Sequence, residues 1–183
     1  MALTPSTMTP LGSLMPAFRL PDARGPEFDS AELADTPVLV AFICNHCPYV
    51  KHIAPAFSAL ARELTNQGLA VVAINSNDWQ SHPADSPEQM RAEILARDYV
   101  FPYLADEHQD VARAFDAACT PDFFLYDKGH QLVWRGQFDG SRPGNEVPVT
   151  GEDLRRAALA VMAGRPPEGE QVPSVGCNIK WRS

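Results

Sequence analysis

Ala41-Phe-Ile-Cys-Asn-His-Cys-Pro-Tyr-Val-Lys51 is the stretch around which the chain is organised. It continues an apolar run that begins at Val38, ends that run in Cys44-Asn45-His46-Cys47, and places Pro48 directly after. A short, β-branched-rich apolar run bounded by a polar break and a proline reads as a buried strand. Beyond it Tyr49, Val50, Ile53, Phe57, Leu60, Ala61 and Leu64 recur at helical spacing, and Gly68 supplies the stop. Proline is favoured at the first helical position, so Cys47 is expected as the N-cap and Cys44 in the turn before it. Unsatisfied N–H groups and the positive end of the helix dipole stabilise a thiolate there. His46, if protonated, adds to that field. One thiolate to attack and a second thiol to resolve the mixed disulfide is what thiol–disulfide exchange requires.

The bland alternative for Cys44 and Cys47 is half of a metal site. Tetrahedral zinc needs a second pair of ligands, and the chain holds no other Cys-x-x-Cys and no His-x-x-x-His. A metal-binding protein using Cys44, Cys47 and His46 is carried as the non-enzymatic alternative. No cofactor and no resident metal are expected.

Working outward, Leu69 to Ile74 is a second apolar run, one helix away from the first. That spacing predicts a βαβ unit with parallel strands. Pro55 falls inside the intervening helix and removes one of its backbone hydrogen bonds. Asn75 to Pro87 is a polar loop leaving the same sheet edge as the two cysteines, where ligand contacts gather in open α/β sheets. Ser86-Pro-Glu-Gln89 caps a helix running to about Arg97. Phe101–Leu104 reads as a short strand and Gln109–Ala118 as a short helix. Asp122–Tyr126 and Gln131–Arg135 form a hairpin about Asp127-Lys-Gly-His130. Thr150-Gly-Glu-Asp-Leu154 opens a last amphipathic helix that Gly164 closes. On the N-terminal side, Ala17–Leu20 and Phe28 suggest a small hairpin around Asp22–Gly25. Residues 1–15 are expected to form a loose arm and 165–183 a Pro/Gly-rich tail, with one domain over 1–183.

Cys119-Thr-Pro-Asp-Phe123 is the second chemical signal. A proline before a strand sits at its first residue or in a turn, and X-Pro bonds are the ones commonly found cis. A cis Pro121 facing the thiols would leave the Thr120 backbone to pair with an extended substrate, as in strand addition. Cys119 and Cys177 are each readable as small buried hydrophobes. Cys119 lies close enough to Pro121 to be a supporting candidate, whereas the path of the tail that carries Cys177 is not fixed.

The net charge of -8 gives nucleic acid no electrostatic reason to bind, and the longest apolar runs are far too short to cross a bilayer. No basic n-region or apolar h-region opens the chain. A reducing cytoplasm is therefore the expected compartment, where four cysteines serve redox or metal chemistry rather than structural disulfides.

From Ala17 to about Gly164 the chain resembles the thioredoxin-like superfamily, and within it the peroxiredoxin-like, AhpC/TSA-type thiol proteins. Ile43-Cys-Asn-His-Cys47 resembles the thioredoxin CxxC, Lys51–Pro55 the kinked helix after it, and Thr120-Pro121 before Phe123–Tyr126 the cis-Pro loop and its strand. Asn45-His46 is similar to the dipeptide between the cysteines of DsbA, where a histidine favours the thiolate. The resemblance implies an α/β thioredoxin-like fold with a central mixed sheet flanked by helices. It also implies a Cys44/Cys47 dithiol cycle, with Thr120 and Pro121 presenting the partner's disulfide. Protein or small-molecule disulfides, or peroxide, would be the oxidants, and a thiol such as thioredoxin or glutathione the reductant. Aligned on Cys-Pro, Cys47 takes the place of a peroxidatic cysteine. Val40 and Cys44 then stand where the peroxiredoxin pattern has Pro and Thr, and Asp122 where it has an Arg. Which cysteine attacks stays open: helix capping favours Cys47, the thioredoxin resemblance Cys44.

Overall fold

The computed structural model describes residues Leu3–Ser183. Its centre is a five-stranded mixed sheet, built from β4 (Val38–Phe42), β5 (Ala70–Asn75), β6 (Tyr103–Ala105), β8 (Asp122–Tyr126) and β9 (Leu132–Gly136), in the order β6-β5-β4-β8-β9. β4, β5 and β6 run parallel, while β8 and β9 are antiparallel. β4 is buried at all five positions because both faces of the sheet are covered.

Residues sort onto the two faces with period two. Leu39, Ala41, Val71, Ala73, Phe123 and Leu125 face α1 (Pro48–Asn66), α2 (Pro87–Arg97) and α4 (Glu152–Met162), where Phe57, Leu60, Leu64, Met90, Leu154 and Ala158 meet them. Val38, Val40, Phe42, Ile74, Phe124 and Tyr126 face the other way. They pack on Phe115 of α3 (Asp110–Phe115) and on Phe18 and Leu20 by the hairpin β2 (Arg19–Pro21) and β3 (Glu27–Asp29). A mixed sheet with an apolar layer on each face is the thioredoxin-like architecture that the resemblance implied.

The register brings the chemistry to one edge. Phe42 at the end of β4 lies opposite Asp122 at the start of β8, so the segment after β4 and the segment before β8 leave the sheet side by side. Helix α1 begins with Pro48 at its first turn and Cys47 as N-cap, as the sequence dictates, and it continues through Pro55 to Asn66. Ser86 caps α2 by accepting from the Gln89 N–H.

Several expectations are corrected. The N-terminal arm is not loose over its described part. β1 (Leu3–Pro5) pairs antiparallel with β10 (Val175–Asn178), and the Gly12 and Met15 amides bond to Leu132 and His130. Residues Met1 and Ala2 lie outside the described residues. The tail, expected to be ordered or half-ordered with its path open, is fixed by pairing. β10 lies between β1 and the two-residue strand β7 (Cys119–Thr120), with Cys177 opposite Thr120 and Asn178 opposite Cys119. The Thr120 edge proposed for an extended substrate is thus filled by this chain's own C-terminal strand. The helix expected over Gln109–Ala118 is shorter, ending at Phe115 because Asp116 takes a left-handed conformation with φ of 57°.

Candidate active site

Four cysteines, all thiols and all buried, occur in the fold. Three gather at the sheet edge. Cys47, at the N-cap of α1, is fully buried, and its sulfur lies 2.8 Å from that of Cys177 and 3.4 Å from the Thr120 carbonyl oxygen. The Cys44 sulfur lies 3.4 Å from the Thr120 hydroxyl. The Thr120-Pro121 bond is cis, as expected.

A buried sulfur ionises only if its thiolate is given donors. The Cys44 S–H directed at Cys47 is the largest influence on that sulfur. Burial opposes ionisation, but the Cys177 thiol, the Val50 amide and Thr120 add to Cys44, and the Cys47 pKa falls to about 4. Val50 sits in the first turn of α1 without making a full capping hydrogen bond. Cys44 moves oppositely: its bond to Cys47, its burial and the Asp85 carboxylate hold it well above the ordinary thiol range. The two shifts run in opposite directions and favour the thiolate at Cys47 over Cys44. The Cys-x-x-Cys ends at the helix N-cap instead of beginning there, and the position one turn into the helix is Val50.

A polar cluster supports the loop between the two cysteines. Asp85, in a 3-10 turn of Pro83–Asp85, is completely buried. Its Oδ1 accepts from the Asn45 N–H at 2.7 Å and from Asn75 Nδ2 at 3.2 Å; its Oδ2 accepts from Asn77 Nδ2 at 3.0 Å and pairs with His46 Nδ1. Asn45 also bonds to the Ala84 carbonyl and to the Tyr103 hydroxyl. The His46 ring stacks on His82, centroids 5.5 Å apart. One carboxylate thus fixes the backbone and side chains between Cys44 and Cys47. Donor atoms of Cys44, His46 and Asp85 lie within 4.8 Å of one another, a set chemically suited to a borderline-soft divalent metal. The set replaces Cys47 of the metal alternative by Asp85, both of whose oxygens already accept from nitrogen donors.

Of the residues singled out in the sequence, Cys44, Cys47, Thr120 and Pro121 converge on one site, and His46 stands at its rim on Asp85. Cys119 does not join them: its S–H is directed at the Pro121 carbonyl, 3.6 Å away, and burial pushes the thiol up. Asp85 was missed, because nothing marks it within the polar loop. Cys177 was noticed without a place. The Gly176-Cys177 step between Val175 and Asn178 is too short to show a period and reads as a strand only once a partner edge is supplied.

Fold and edge define a thioredoxin-like thiol protein with a buried cysteine at a helix N-terminus. The AhpC/TSA family model matches residues 11–135, more than half of the chain, and the chain belongs to that family. A search of curated proteins found no match. Among solved structures the chain is similar to a hypothetical protein from Sinorhizobium meliloti 1021, at 52% identity over 98% of this chain and 99% of that one, with a TM-score of 0.96. It is also similar to an uncharacterized conserved protein from Geobacillus kaustophilus, at 46% identity over 100% and 97% of the two chains, with a TM-score of 0.97. A thiol:disulfide interchange protein of the thioredoxin family from Chlorobium tepidum TLS shares the fold, at 16% identity over 82% and 97%, with a TM-score of 0.65.

Proposed function

We propose that this protein is a thiol–disulfide oxidoreductase whose nucleophile is Cys47. The observation that carries the reading is the Cys47 sulfur itself: buried, at the N-cap of α1, and surrounded by donors that favour its thiolate. Attack by a thiolate on a disulfide sulfur needs no metal or cofactor, only a charged sulfur at working pH and a second thiol to release the product. Low-molecular-weight disulfides are the substrates this site admits, because Cys44, Cys47 and Cys177 are all buried and the Thr120 edge is already paired. Reduction would come from a thiol such as thioredoxin or glutathione, in a reducing cytoplasm. No helix among the described residues is long and apolar enough to cross a membrane.

One observation favours a second reading, a thiol peroxidase with Cys47 peroxidatic. The Cys44 thiol stands where the peroxiredoxin pattern has a threonine, and it supplies a hydrogen-bond donor to the reacting sulfur. No arginine is placed to help the departing oxygen, since the corresponding residue is Asp122. The rate of thiol loss with oxidised glutathione, beside the rate with hydrogen peroxide, separates the two. Fast loss with the disulfide and slow loss with peroxide is expected; a fast, saturable reaction with peroxide alone would overturn the oxidoreductase reading. Elemental analysis of protein purified without chelator tests the metal alternative: stoichiometric metal that Cys44→Ser abolishes would displace both.

A further inference from the structure

We propose that Cys177, carried on β10 as an internal substrate strand, is the thiol that closes the disulfide with Cys47, and that Cys44 remains a hydrogen-bond donor throughout. The inference rests on Cys47 being the nucleophile and names the residue that completes its cycle.

Distance is the first argument. The Cys47 and Cys177 sulfurs are 2.8 Å apart, across 130 positions of sequence. A disulfide needs about 2.05 Å, so closure asks for a movement of less than about 1 Å.

The second argument is the way β10 is held. Its pairing sets Cys177 directly opposite Thr120, the position at which strand addition would deliver a substrate sulfur. Both flanks are pinned. Ser174 Oγ donates to the Pro121 carbonyl at 2.5 Å, and the Ile179 amide donates to the Ala118 carbonyl at 3.1 Å. Further on, the Lys180 amide donates to Asn77 Oδ1 at 2.8 Å, and Gln109 Nε2 donates to the Lys180 carbonyl at 2.8 Å. Gly176 permits the approach: a β-carbon there would stand 1.9 Å from the Thr120 carbonyl oxygen, closer than any side chain is tolerated.

Charge supplies the third argument. A resolving thiol must give up its proton to attack. Cys44 faces the buried Asp85 carboxylate, which opposes a second negative charge. Burial and the adjacent Cys47 push Cys177 itself up to about 12, and Lys180 and the Tyr49 amide of the first turn of α1 offset part of that rise, whereas Cys44 has a carboxylate as its charged neighbour. The loop between Cys44 and Cys47 is in addition tied through Asn45 to Asp85, Ala84 and Tyr103, which resists the backbone adjustment that a Cys44–Cys47 disulfide would ask for.

The chemistry balances. Cys47 S⁻ attacks a small disulfide RSSR, forming Cys47–S–S–R and expelling RS⁻, which takes up the Cys177 proton. Cys177 S⁻ then attacks the Cys47 sulfur, forming the Cys47–Cys177 disulfide and expelling a second RS⁻, which takes a proton from solvent. Two protein sulfurs are oxidised and one disulfide is reduced to two RSH.

The test has two arms on the full-length reduced chain. Diamide, which oxidises apposed thiols without a substrate, followed by peptide mapping under non-reducing conditions, is expected to give Cys47–Cys177 in the wild type and in Cys44→Ser. A Cys44–Cys47 disulfide in the wild type overturns the proposal. In the second arm, oxidised glutathione is expected to leave the wild type with the internal disulfide and two released glutathiones. Cys177→Ser should still take up the first glutathione on Cys47 and then hold it, with release slowed at least about 100-fold, as loss of an intramolecular reactant predicts. Gly176→Ala should also accumulate the mixed disulfide, with all four sulfurs intact. Release at the wild-type rate from Cys177→Ser overturns the proposal. Failure of any variant to take up glutathione, together with a Cys47–Cys177 bridge from diamide, would sink the oxidoreductase reading and leave the pairing in place.

Discussion

Cys47 and Cys119 are both wholly inaccessible to solvent, yet they are driven in opposite directions: one to a pKa of about 4, the other well above an ordinary thiol. Burial therefore does not decide the charge of a sulfur here. For Cys119 burial is the largest influence, the Asp122 carboxylate adds to it and no donor offsets it, so its proton is kept. Cys47 is met by the thiols of Cys44 and Cys177, the Val50 amide and Thr120, all of which favour the anion. The same rule appears in oxygen. Asp139 is buried but accepts from the amides of Ser141, Thr150 and Gly151, and its pKa is lowered despite the desolvation that is its largest single influence. Asp122 is buried too, and one of its oxygens has no partner among the described residues; burial raises its pKa to about 7 although Ser6 and the Ala118 and Phe123 amides favour its anion. Burial pushes all four groups towards the neutral form, and only where donors outweigh it is the anion favoured.

Cys47→Ser is expected to have the largest effect on the contrast. Thiol loss on exposure to oxidised glutathione should fall to the rate of the untouched background, whereas Cys119→Ser should retain wild-type kinetics; equal rates in the two variants would break the distinction.

Next in size is Asp122→Asn. A carboxyl with a folded pKa of about 7 and an unfolded pKa of about 3.9 holds its proton longer in the native state, so its contribution to stability falls as pH rises from about 4 to about 7. At about 1.36 kcal/mol per unit the upper bound is about 4 kcal/mol. Cys47 has the opposite sign, because its folded pKa is depressed: its contribution rises between about 4 and about 8.5. Chemical denaturation across this range should show Asp122→Asn removing the falling component, with the gain in stability greatest above pH 7. An unchanged pH profile would mean that Asp122 is already charged in the folded protein.

Cys44→Ala removes the principal donor to the thiolate. A hydrogen bond to a charged group contributes roughly 1.5–3 kcal/mol, so the Cys47 midpoint should climb by about one to two units, read from the ultraviolet absorbance of the thiolate against pH. No climb would transfer the credit to Cys177 and the helix terminus. Smallest of all, Cys119→Ala should leave that midpoint in place and cost about 1 kcal/mol of stability, as for an ordinary buried truncation.

Much of this was legible without coordinates. Period-two and helical spacing marked β4, α1, β5, α2, the β8–β9 hairpin and α4. The N-cap role of Cys47 followed from Pro48 alone, because both are local consequences of backbone geometry. Thr120-Pro121 was found from the position of a proline ahead of a strand. Asp85 could not be found that way. Its role depends on donors from Asn45, His46, Asn75 and Asn77, which the fold assembles from two loops. The pairing of residues 3–5, expected as part of a loose arm, and the path of the tail around Cys177 were not legible for a related reason. Three- and four-residue strands carry too little periodicity to announce themselves and become strands only by pairing.

The sequence by itself determined that a thiol would stand at the start of a helix, at the open edge of a sheet buried on both faces. Neighbouring residues suffice to specify a cap, a helix and a strand. Which sulfur is charged, and which other sulfur lies within reach of it, only the tertiary structure decided. Charge in a buried site depends on donors contributed by residues distant in sequence, and Cys177 arrives from 130 positions away because β10 pairs with the strand that leads to Pro121.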